Sequence, residues 1–435
     1  MSDNTSGSSS RRDFLKTGTV AAIGGSLVGQ MAFNSSVHAA GTDKLLRVGL
    51  VGCGGRGTGA ANQALSADPK TELVAMADVF ADQLDKSYNI LKKQPVGDRV
   101  TVDDDHKFVG FDAFQRLIDS GVDVVLLTTS PHFRPQHLKA VVEAGKHCFV
   151  EKPVAVDAPG VRSILQTCKL AEEKGLAIVS GLCYRYEPSK MATFEQVHGG
   201  LIGETISVQC TYNTSELWHR TPPADVQWSE METQMRNWLY YTWLSGDHIT
   251  EQHIHSLDKM AWAMRDAAPV KVTATGGRQV RTDAKWGNIY DHFSTVYEYE
   301  NGVKGFANCR QQNGCSRDVS DHVFGTKGRA EIMKHRIYDR QGKTIWRFRD
   351  KNTNMYQAEH DAFFASIRSG NPINNGKYMS QSTMMAISAR MSAYTGKTIT
   401  WEQAMNSKLD LTPPHYEWKD LPVTPVATPG VTEFV

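Results

Sequence analysis

The stretch that decides the fold is Val48-Gly49-Leu50-Val51-Gly52-Cys53-Gly54-Gly55-Arg56-Gly57. It begins in an apolar run typical of a strand, and a helical pattern follows from Thr58. Glycines at this spacing allow a tight turn, close approach of a pyrophosphate, and packing of the helix on the strand. The N-terminus of the helix then faces the phosphate charge. We therefore predict a dinucleotide-binding βαβ unit whose cofactor contacts include Gly52, Gly54, Gly55, Arg56 and Gly57.

An acidic residue stands at the end of the next predicted strand, which spans Glu72 to Ala77. Asp78 lies about twenty residues beyond the glycine loop, where a carboxylate accepts hydrogen bonds from ribose hydroxyls and repels a 2′-phosphate. Val79 and Phe80 follow, and neither offers that phosphate a positive charge. The sequence therefore predicts NAD in preference to NADP. A phosphate loop for another ligand is the alternative.

The first forty residues have the three parts of an export signal. Ser10-Arg11-Arg12-Asp13-Phe14-Leu15-Lys16 precedes a Gly- and Ala-rich apolar stretch, and Val37-His38-Ala39 fits a small-x-small cleavage site. The twin-arginine machinery exports folded proteins, so a cofactor bound in the cytoplasm can travel with its protein. We predict a periplasmic or otherwise exported protein with no membrane segment in its mature form. A disordered start with a chance Arg-Arg pair is the alternative.

Charge is balanced, with 48 Lys and Arg against 47 Asp and Glu and a formal net charge of +1. No basic arm or cluster appears, and phosphate neutralisation requires one, so we expect no nucleic-acid partner. The seven cysteines lack metal-type spacing, and Cys309 and Cys315 are the one pair that could join in an oxidising compartment.

The pattern of apolar runs divides the mature chain into two structural classes. Short apolar runs alternate with helical stretches up to about residue 180, which indicates βαβ units and a parallel sheet. Beyond it, runs at 206–214, 270–275, 292–300 and 303–310 are typical of antiparallel strands, and Asn301-Gly302 predicts a two-residue hairpin turn. A helix is predicted over 251–265.

We therefore predict an α/β fold with an N-terminal Rossmann dinucleotide-binding domain and a C-terminal α+β domain with a large, mainly antiparallel open sheet. The predicted boundaries are 1–40 for the signal peptide, 41–180 for the Rossmann domain, 181–405 for the second domain and 406–435 for an extended tail. Helices within 360–400 are expected to pack back on the first domain.

A more specific motif is the predicted strand that ends in Glu151-Lys152-Pro153, after a strand that ends in Thr128-Thr129-Ser130-Pro131. These motifs resemble the glucose–fructose oxidoreductase / inositol dehydrogenase / MocA (Gfo/Idh/MocA) family over about residues 44–406. The resemblance implies an NAD(P)-dependent oxidoreductase acting on CH-OH groups, and a homo-oligomer, a dimer or tetramer. It implies that Lys152 polarises the reacting hydroxyl or carbonyl. It also adds four residues to the expected cofactor contacts, namely Thr129, Pro131, Glu151 and Lys152.

The resemblance further implies an acidic residue and a histidine four positions apart on a helix of the second domain. His255 matches that histidine, while Glu251 stands where aspartate is usual and His253 where glycine is common. Lys152, His255 and Glu251 are thus the predicted catalytic residues, with His255 suited to a general base. His248, His253 and His255 with Glu251 could instead bind a divalent metal, but His253 and His255 would point apart on one helix, so no metal is predicted.

Aromatic residues are concentrated between residues 213 and 243, where they could stack on sugar rings or seal an interface. Tyr184 and Arg185 lie where the family often places substrate contacts. The predicted substrate-binding residues are Arg185, Tyr184, Trp218, Trp238, Trp243 and His253.

Three functions follow from these residues. The first is an exported NAD-dependent oxidoreductase that acts on a secondary hydroxyl of a sugar, glycoside or polyol and keeps its cofactor bound. The second is an NAD-dependent glycoside hydrolase that works by transient oxidation, elimination, hydration and reduction. The third is a non-catalytic protein that binds a sugar or nucleotide.

Overall fold

The glycine loop follows the first strand of a six-stranded parallel sheet. The computed structural model describes residues 44–435, so the predicted signal peptide and its cleavage site lie outside the described residues. The strands are β1 (Leu46–Val51), β2 (Thr71–Asp78), β3 (Lys107–Val109), β4 (Val124–Leu127), β5 (His147–Val150) and β6 (Ile178–Ser180). Their order is β3-β2-β1-β4-β5-β6, and every neighbouring pair is parallel. This is the Rossmann order, as predicted.

Helices cover both faces of this sheet, which is why the central strand β4, Val-Val-Leu-Leu, is apolar and buried along its whole length. In β4, Leu126 packs into one buried cluster and Leu127 into a second cluster on the opposite face. The helices are α1 (Gly55–Ala67), α2 (Ala81–Lys92), α3 (Ala113–Asp119), α4 (Arg134–Glu143) and α5 (Ala158–Glu173). β3 and α3 were not predicted, because both are too short to produce a clear periodicity.

The second sheet has nine strands, and one of its faces packs against helices in a shared buried cluster. Its strands are β7 (Thr205–Thr214), β8 (Lys271–Gly277), β9 (His292–Glu298), β10 (Lys304–Gln311), β11 (Asp318–Gly325), β12 (Gly328–Glu331), β13 (Arg336–Asp339), β14 (Thr344–Arg347) and β15 (Ile399–Thr400). The order is β14-β13-β12-β11-β7-β10-β9-β8-β15. Neighbours are antiparallel except β7 and β10, so the sheet is mixed and mainly antiparallel.

Of the remaining helices, the two long ones between residues 355 and 395 match the helices predicted within 360–400, whereas several short helices were not predicted. These remaining helices are α6 (Pro188–His198), α7 (Glu230–Arg236), α8 (Thr242–Ser245), α9 (His248–Glu251), α10 (Ile254–Ala263), α11 (Met355–Arg368), α12 (Gly376–Thr395) and α13 (Trp401–Asn406). The single helix predicted over 251–265 is wrong. The structure has two helices there, because helical structure is interrupted at Gln252 and His253, between α9 and α10.

The turn between β9 and β10 also differs from the prediction. Gly302 N donates to Tyr299 O at 2.9 Å, and Tyr299 N donates to Val303 O at 3.0 Å, which makes a three-residue loop. Gly302 has φ 81°, the left-handed conformation that such a loop requires at its last position.

Two C-terminal helices connect the sheets. α11 lies against α1, where Gln357 Nε2 donates to Gln63 O at 3.0 Å. α12 is buried along most of its length. Its side-chain hydroxyls accept hydrogen bonds from backbone N–H groups that belong to each of the two sheet regions. Val154 N donates to Thr383 Oγ1 at 3.3 Å, and Ala274 N donates to Ser392 Oγ at 2.8 Å. α12 therefore packs against elements of both sheets.

The tail beyond α13 has no regular helix or strand. Searching the described part of the chain, residues 44–435, finds no helix with the length and apolar character needed to cross a membrane.

Candidate active site and cofactor pocket

The glycine loop has the geometry that makes small residues necessary. Gly52 has φ 96°, and a Cβ added to Gly57 would lie 1.9 Å from Gly52 O. Any side chain at Gly57 would therefore separate α1 from β1. Thr128 Oγ1, at the end of β4, donates to Gly52 O at 2.5 Å and fixes the loop from the other side.

The same loop leaves open space where a pyrophosphate is expected. A Cβ added to Gly54 or Gly55 would meet no heavy atom within 4 Å. Gly54 precedes α1 and offers no side-chain cap, so the first backbone N–H groups of α1 are free to bind an anion. The residues present thus fit a dinucleotide.

Asp78 lies at the rim of the same pocket, as predicted for a ribose contact. Its carboxylate accepts hydrogen bonds from Cys53 N at 2.6 Å and Phe80 N at 2.9 Å, one on each oxygen. Burial raises the pKa of Asp78 from its usual value, and these backbone donors oppose that shift. Each oxygen keeps a lone pair for a ribose hydroxyl.

The pocket opens between the ends of β1, β2 and β4, the point where the strand order reverses and ligands bind in such sheets. Gly52, Gly54, Asp78 and Thr129 line it. Thr129 Oγ1 is buried and has no hydrogen-bond partner among the described residues, as expected of a group that meets a ligand. Pro131 begins the buried turn that follows β4.

The Arg56 side chain does not reach the pocket, although Arg56 was among the predicted cofactor contacts. The guanidinium is held by carboxylates, with Nε 2.6 Å from Glu151 Oε1 and Nη2 3.5 Å from Glu359 Oε1. Glu359 is fully buried, and burial together with the charge of Glu151 raises its pKa well above the usual value. Arg56 and Glu151 therefore join the glycine loop to the segment that carries Lys152, and neither side chain lines the pocket.

Lys152 follows β5 and reaches across to α9. Its Nζ donates to Glu251 O at 2.6 Å and to Glu251 Oε1 at 2.9 Å, and both side chains are nearly buried. Glu251 Oε2 is buried and has no partner in the described part of the chain. The structure thus brings two of the predicted catalytic residues together, and the ammonium keeps one N–H for a further acceptor.

His255 lies beside this pair, on α10. Burial, followed by the positive charges of Lys152 and Lys259, lowers the pKa of His255 well below its usual value. Its Nδ1 is buried without a partner among residues 44–435. The imidazole is therefore neutral near pH 7 and able to accept a proton.

Tyr184, a predicted substrate contact, lies beside His255 among lysines that sequence analysis missed. Its ring lies 4.5 Å from Lys190 Nζ and 4.1 Å from Lys259 Nζ, and meets His255 edge-on at 5.4 Å. Lys259 is buried and paired with Asp321 at 3.1 Å. The one available signal was the four-residue spacing of Lys259 from His255.

Arg185 and His253, two of the predicted substrate contacts, are engaged by other residues of the protein. Arg185 is bound by Asp258 and Asp266, both within 3.1 Å, and its guanidinium packs between the rings of Trp262 and Tyr378. Its donors are thus already used by partners distant in sequence.

His253 is 1% exposed, with Nε2 3.9 Å from Cys210 Sγ, so it belongs to the core beneath β7. Burial lowers the pKa of His253 to about 3.

The aromatic residues between 213 and 243 lie near the cofactor pocket and not beside Lys152. Trp243 is buried, and its indole N–H donates to Gln234 at 2.8 Å, so its predicted substrate contact is wrong. Trp238 lines the pocket that contains Asp78. Trp218 is exposed and stacks with Arg220, which also lines that pocket.

The histidines of α9 and α10 have separate partners. His248 Nδ1 lies 2.9 Å from Asp247 Oδ1, and its Nε2 lies 3.5 Å from the buried thiol of Cys309. Cys309 and Cys315 are both free thiols. Within residues 44–435, no group of three or more His, Cys, Asp or Glu side chains is arranged to hold a metal ion.

Comparison with known proteins connects this geometry to a family. Residues 46–181 match the model of an oxidoreductase family with an NAD-binding Rossmann fold, and residues 192–331 match the Gfo/Idh/MocA C-terminal domain. The chain is similar to the myo-inositol 2-dehydrogenase of Thermotoga maritima, with 23% identity over 75% of this chain and 90% of that protein. It is also similar to a glycosyl hydrolase family 109 protein of Solibacter usitatus, with 28% identity over 47% of this chain and 46% of that protein.

Solved structures show the same fold. The aldose-aldose oxidoreductase of Caulobacter crescentus, solved with glycerol, superposes with a TM-score of 0.63 and 17% identity, over 82% of this chain and 100% of that chain. An NAD-binding Rossmann domain joined to the matching C-terminal domain shows that this chain belongs to the Gfo/Idh/MocA oxidoreductase family.

Proposed function

We propose that this protein is an exported NAD-dependent oxidoreductase that acts on a secondary hydroxyl of a sugar, glycoside or polyol and keeps its cofactor bound. The observation that carries the proposal is the Lys152–Glu251 pair, which lies beside neutral His255 at the end of β5. The glycine loop occupies the same edge of the sheet, at the end of β1. Reacting groups and cofactor site therefore meet at one edge.

Each residue of this cluster has a distinct task. Bound NAD would supply the acceptor for the hydride that leaves the carbon being oxidised. Lys152, with its remaining N–H, binds the oxygen on that carbon and stabilises the negative charge that develops there. His255 is the group beside Lys152 that accepts the proton of the hydroxyl, since its buried imidazole starts unprotonated. Glu251 holds the Lys152 ammonium in place.

The proposal is tested on mature protein purified with its bound nucleotide. We expect NAD in the acid extract and the absorbance of NADH on addition of a reactive sugar or polyol, up to one equivalent when no acceptor is present. Lys152→Met should abolish that reduction without removing the nucleotide. Lys139→Met is the matched control, since Lys139 is exposed on α4 and forms a surface pair with Glu143 at 3.8 Å. Bound NAD that no sugar or polyol reduces would refute the proposal.

A redox-neutral glycoside hydrolase is the second candidate. Its support is the similarity to the family 109 glycosyl hydrolase and the position of Tyr184, a phenol whose ring meets that of His255 edge-on at 5.4 Å. Elimination needs a second base for a C–H proton, and the Tyr184 hydroxyl is a candidate for it. Steady release of aglycone from aryl glycosides without accumulation of NADH would favour this function over net oxidation.

Export is supported by the twin-arginine sequence and by the need to retain a cofactor outside the cytoplasm. Replacing Arg11 and Arg12 together with lysine should leave the precursor in the cytoplasm, as measured by cell fractionation. Export of the lysine variant at the normal rate would contradict this part of the proposal. The resemblance also supports a homo-oligomer, a dimer or tetramer, which sedimentation of the mature protein would test.

A further inference from the structure

Two segments outside the Rossmann sheet meet at the adenosine end of the cofactor pocket. One is the aromatic segment, residues 230–243, which contains α7 and α8. The other is the strap, residues 411–421 of the C-terminal tail. They share a single apolar cluster with Phe80, Phe111 and Phe133, three residues that line the pocket.

The aromatic segment is attached to α2 by Arg236. Its two terminal nitrogens lie 3.1 and 3.2 Å from the carboxylate oxygens of Asp82. The guanidinium also lies 4.0 Å from the centre of the Phe80 ring, and Nε bonds Glu232 at 2.8 Å. Arg236 lines the pocket, so this connection forms part of its wall directly beyond Asp78.

The strap covers the outer side of the same wall. Trp418 stacks on Phe80, with ring centres 5.3 Å apart, and packs against Phe111 at 4.7 Å. Tyr416 OH is hydrogen bonded to His132 Nε2 at 2.7 Å, in the turn that follows β4. Phe80 and Phe111 thus have the pocket on one side and the strap on the other.

The strap is itself fastened to the aromatic segment. Met231 N donates to Lys419 O at 3.2 Å, and Gln234 Nε2 donates to Leu421 O at 2.7 Å. Leu421 is 4% exposed and packs in the shared cluster. Loosening either segment would therefore loosen the other.

We infer that the strap and the aromatic segment hold the adenosine half of NAD in the protein, with Trp418 as the residue that keeps Phe80 and Phe111 in position. The inference rests on the proposed function, since it explains how an exported enzyme keeps the cofactor it was loaded with. Exchange of the cofactor requires Phe80 and Phe111 to move outward, and Trp418 blocks that movement. Trp418 acts through these two rings and is a positioning residue.

The test is the rate at which NAD leaves the protein. Mature protein is loaded with radiolabelled NAD and diluted into unlabelled NAD, and retained label is counted over time. Trp418→Ala should raise the dissociation rate by about tenfold or more, because two aromatic contacts are lost. Trp418→Phe should restore most of the retention. Trp346→Ala, on strand β14 of the other sheet, is the control and should leave the rate unchanged.

Folding of each variant is checked by thermal unfolding and by the amount of NAD bound at saturation. Release from Trp418→Ala at the wild-type rate, in a folded protein that binds NAD, overturns the inference. Equal acceleration by Trp346→Ala also overturns it. If sugars and polyols fail to reduce the bound NAD while Trp418→Ala still accelerates release, the proposed function fails and the retention role stands.

Discussion

The contact between Lys152 and Glu251 predicts a large coupling free energy. Both side chains are nearly buried, at 13% and 12% exposure, and the ammonium makes two short hydrogen bonds to one residue. Removing one partner of a buried ion pair costs about 3–5 kcal/mol, because the other charge is left without compensation. We expect Lys152→Met and Glu251→Gln each to lower the free energy of unfolding by about 2–4 kcal/mol, since slight exposure softens that cost.

The double variant should be less destabilised than the sum of the two changes, by about 2 kcal/mol or more. Urea denaturation of the two single variants and the double variant measures this coupling. Lys139 and Glu143 provide the internal control, because that pair is 60% and 55% exposed with atoms 3.8 Å apart. Its coupling should be below about 0.5 kcal/mol. Coupling at Lys152–Glu251 as small as in the control would refute the idea that the pair is a fixed part of the site.

Three other changes test separate features. Asp78→Ala should reduce the preference for NAD over NADP by about tenfold or more, measured from the two dissociation constants, and unchanged preference would remove Asp78 from the ribose site. Gly57→Ala should abolish nucleotide binding because the new Cβ would collide with the loop backbone, whereas Gly59→Ala, in the interior of α1, should bind NAD normally. Burial lowers the pKa of His137 and of His253 to about 3, below the value near 6.5 in the unfolded chain, so the unfolded state binds more protons as pH falls through 6.5. The free energy of unfolding should therefore decrease between pH 7 and pH 5, by about 1.4 kcal/mol for each pH unit and each such histidine below 6.5, and urea denaturation that is flat over this range would contradict the assignment.

The parts of the site that sequence reasoning located are those set by local chain geometry. The positions of Gly52, Gly57 and Asp78 follow from how one strand, one turn and one helix must connect, and all of them fit in the structure. Lys152 is identified by the Glu151-Lys152-Pro153 motif, which directly follows a strand. Such signals are contained within a few neighbouring residues.

The errors concern side chains whose partners are distant in sequence. Arg185 has the chemistry of a substrate contact, but Asp258 and Asp266 already occupy its donors. The break between α9 and α10 was likewise invisible, because Gln252 and His253 do not disfavour a helix. The buried position of the Trp243 side chain depends on the packing of three separate segments. No local pattern encodes these long-range pairings.

The parallel pairing of β7 with β10 has a consequence for how the protein is made. β7 occupies the middle of its sheet, yet both of its neighbours, β10 and β11, are synthesised only after α7 to α10 and two further strands. The central strand pairs of the sheet therefore cannot form until β10 and β11 have been synthesised, and such non-local pairings form slowly. Until β10 and β11 arrive, both edges of β7 are unpaired and open to aggregation. A nascent chain with this topology therefore exposes two strand edges to other chains until its own later strands are made.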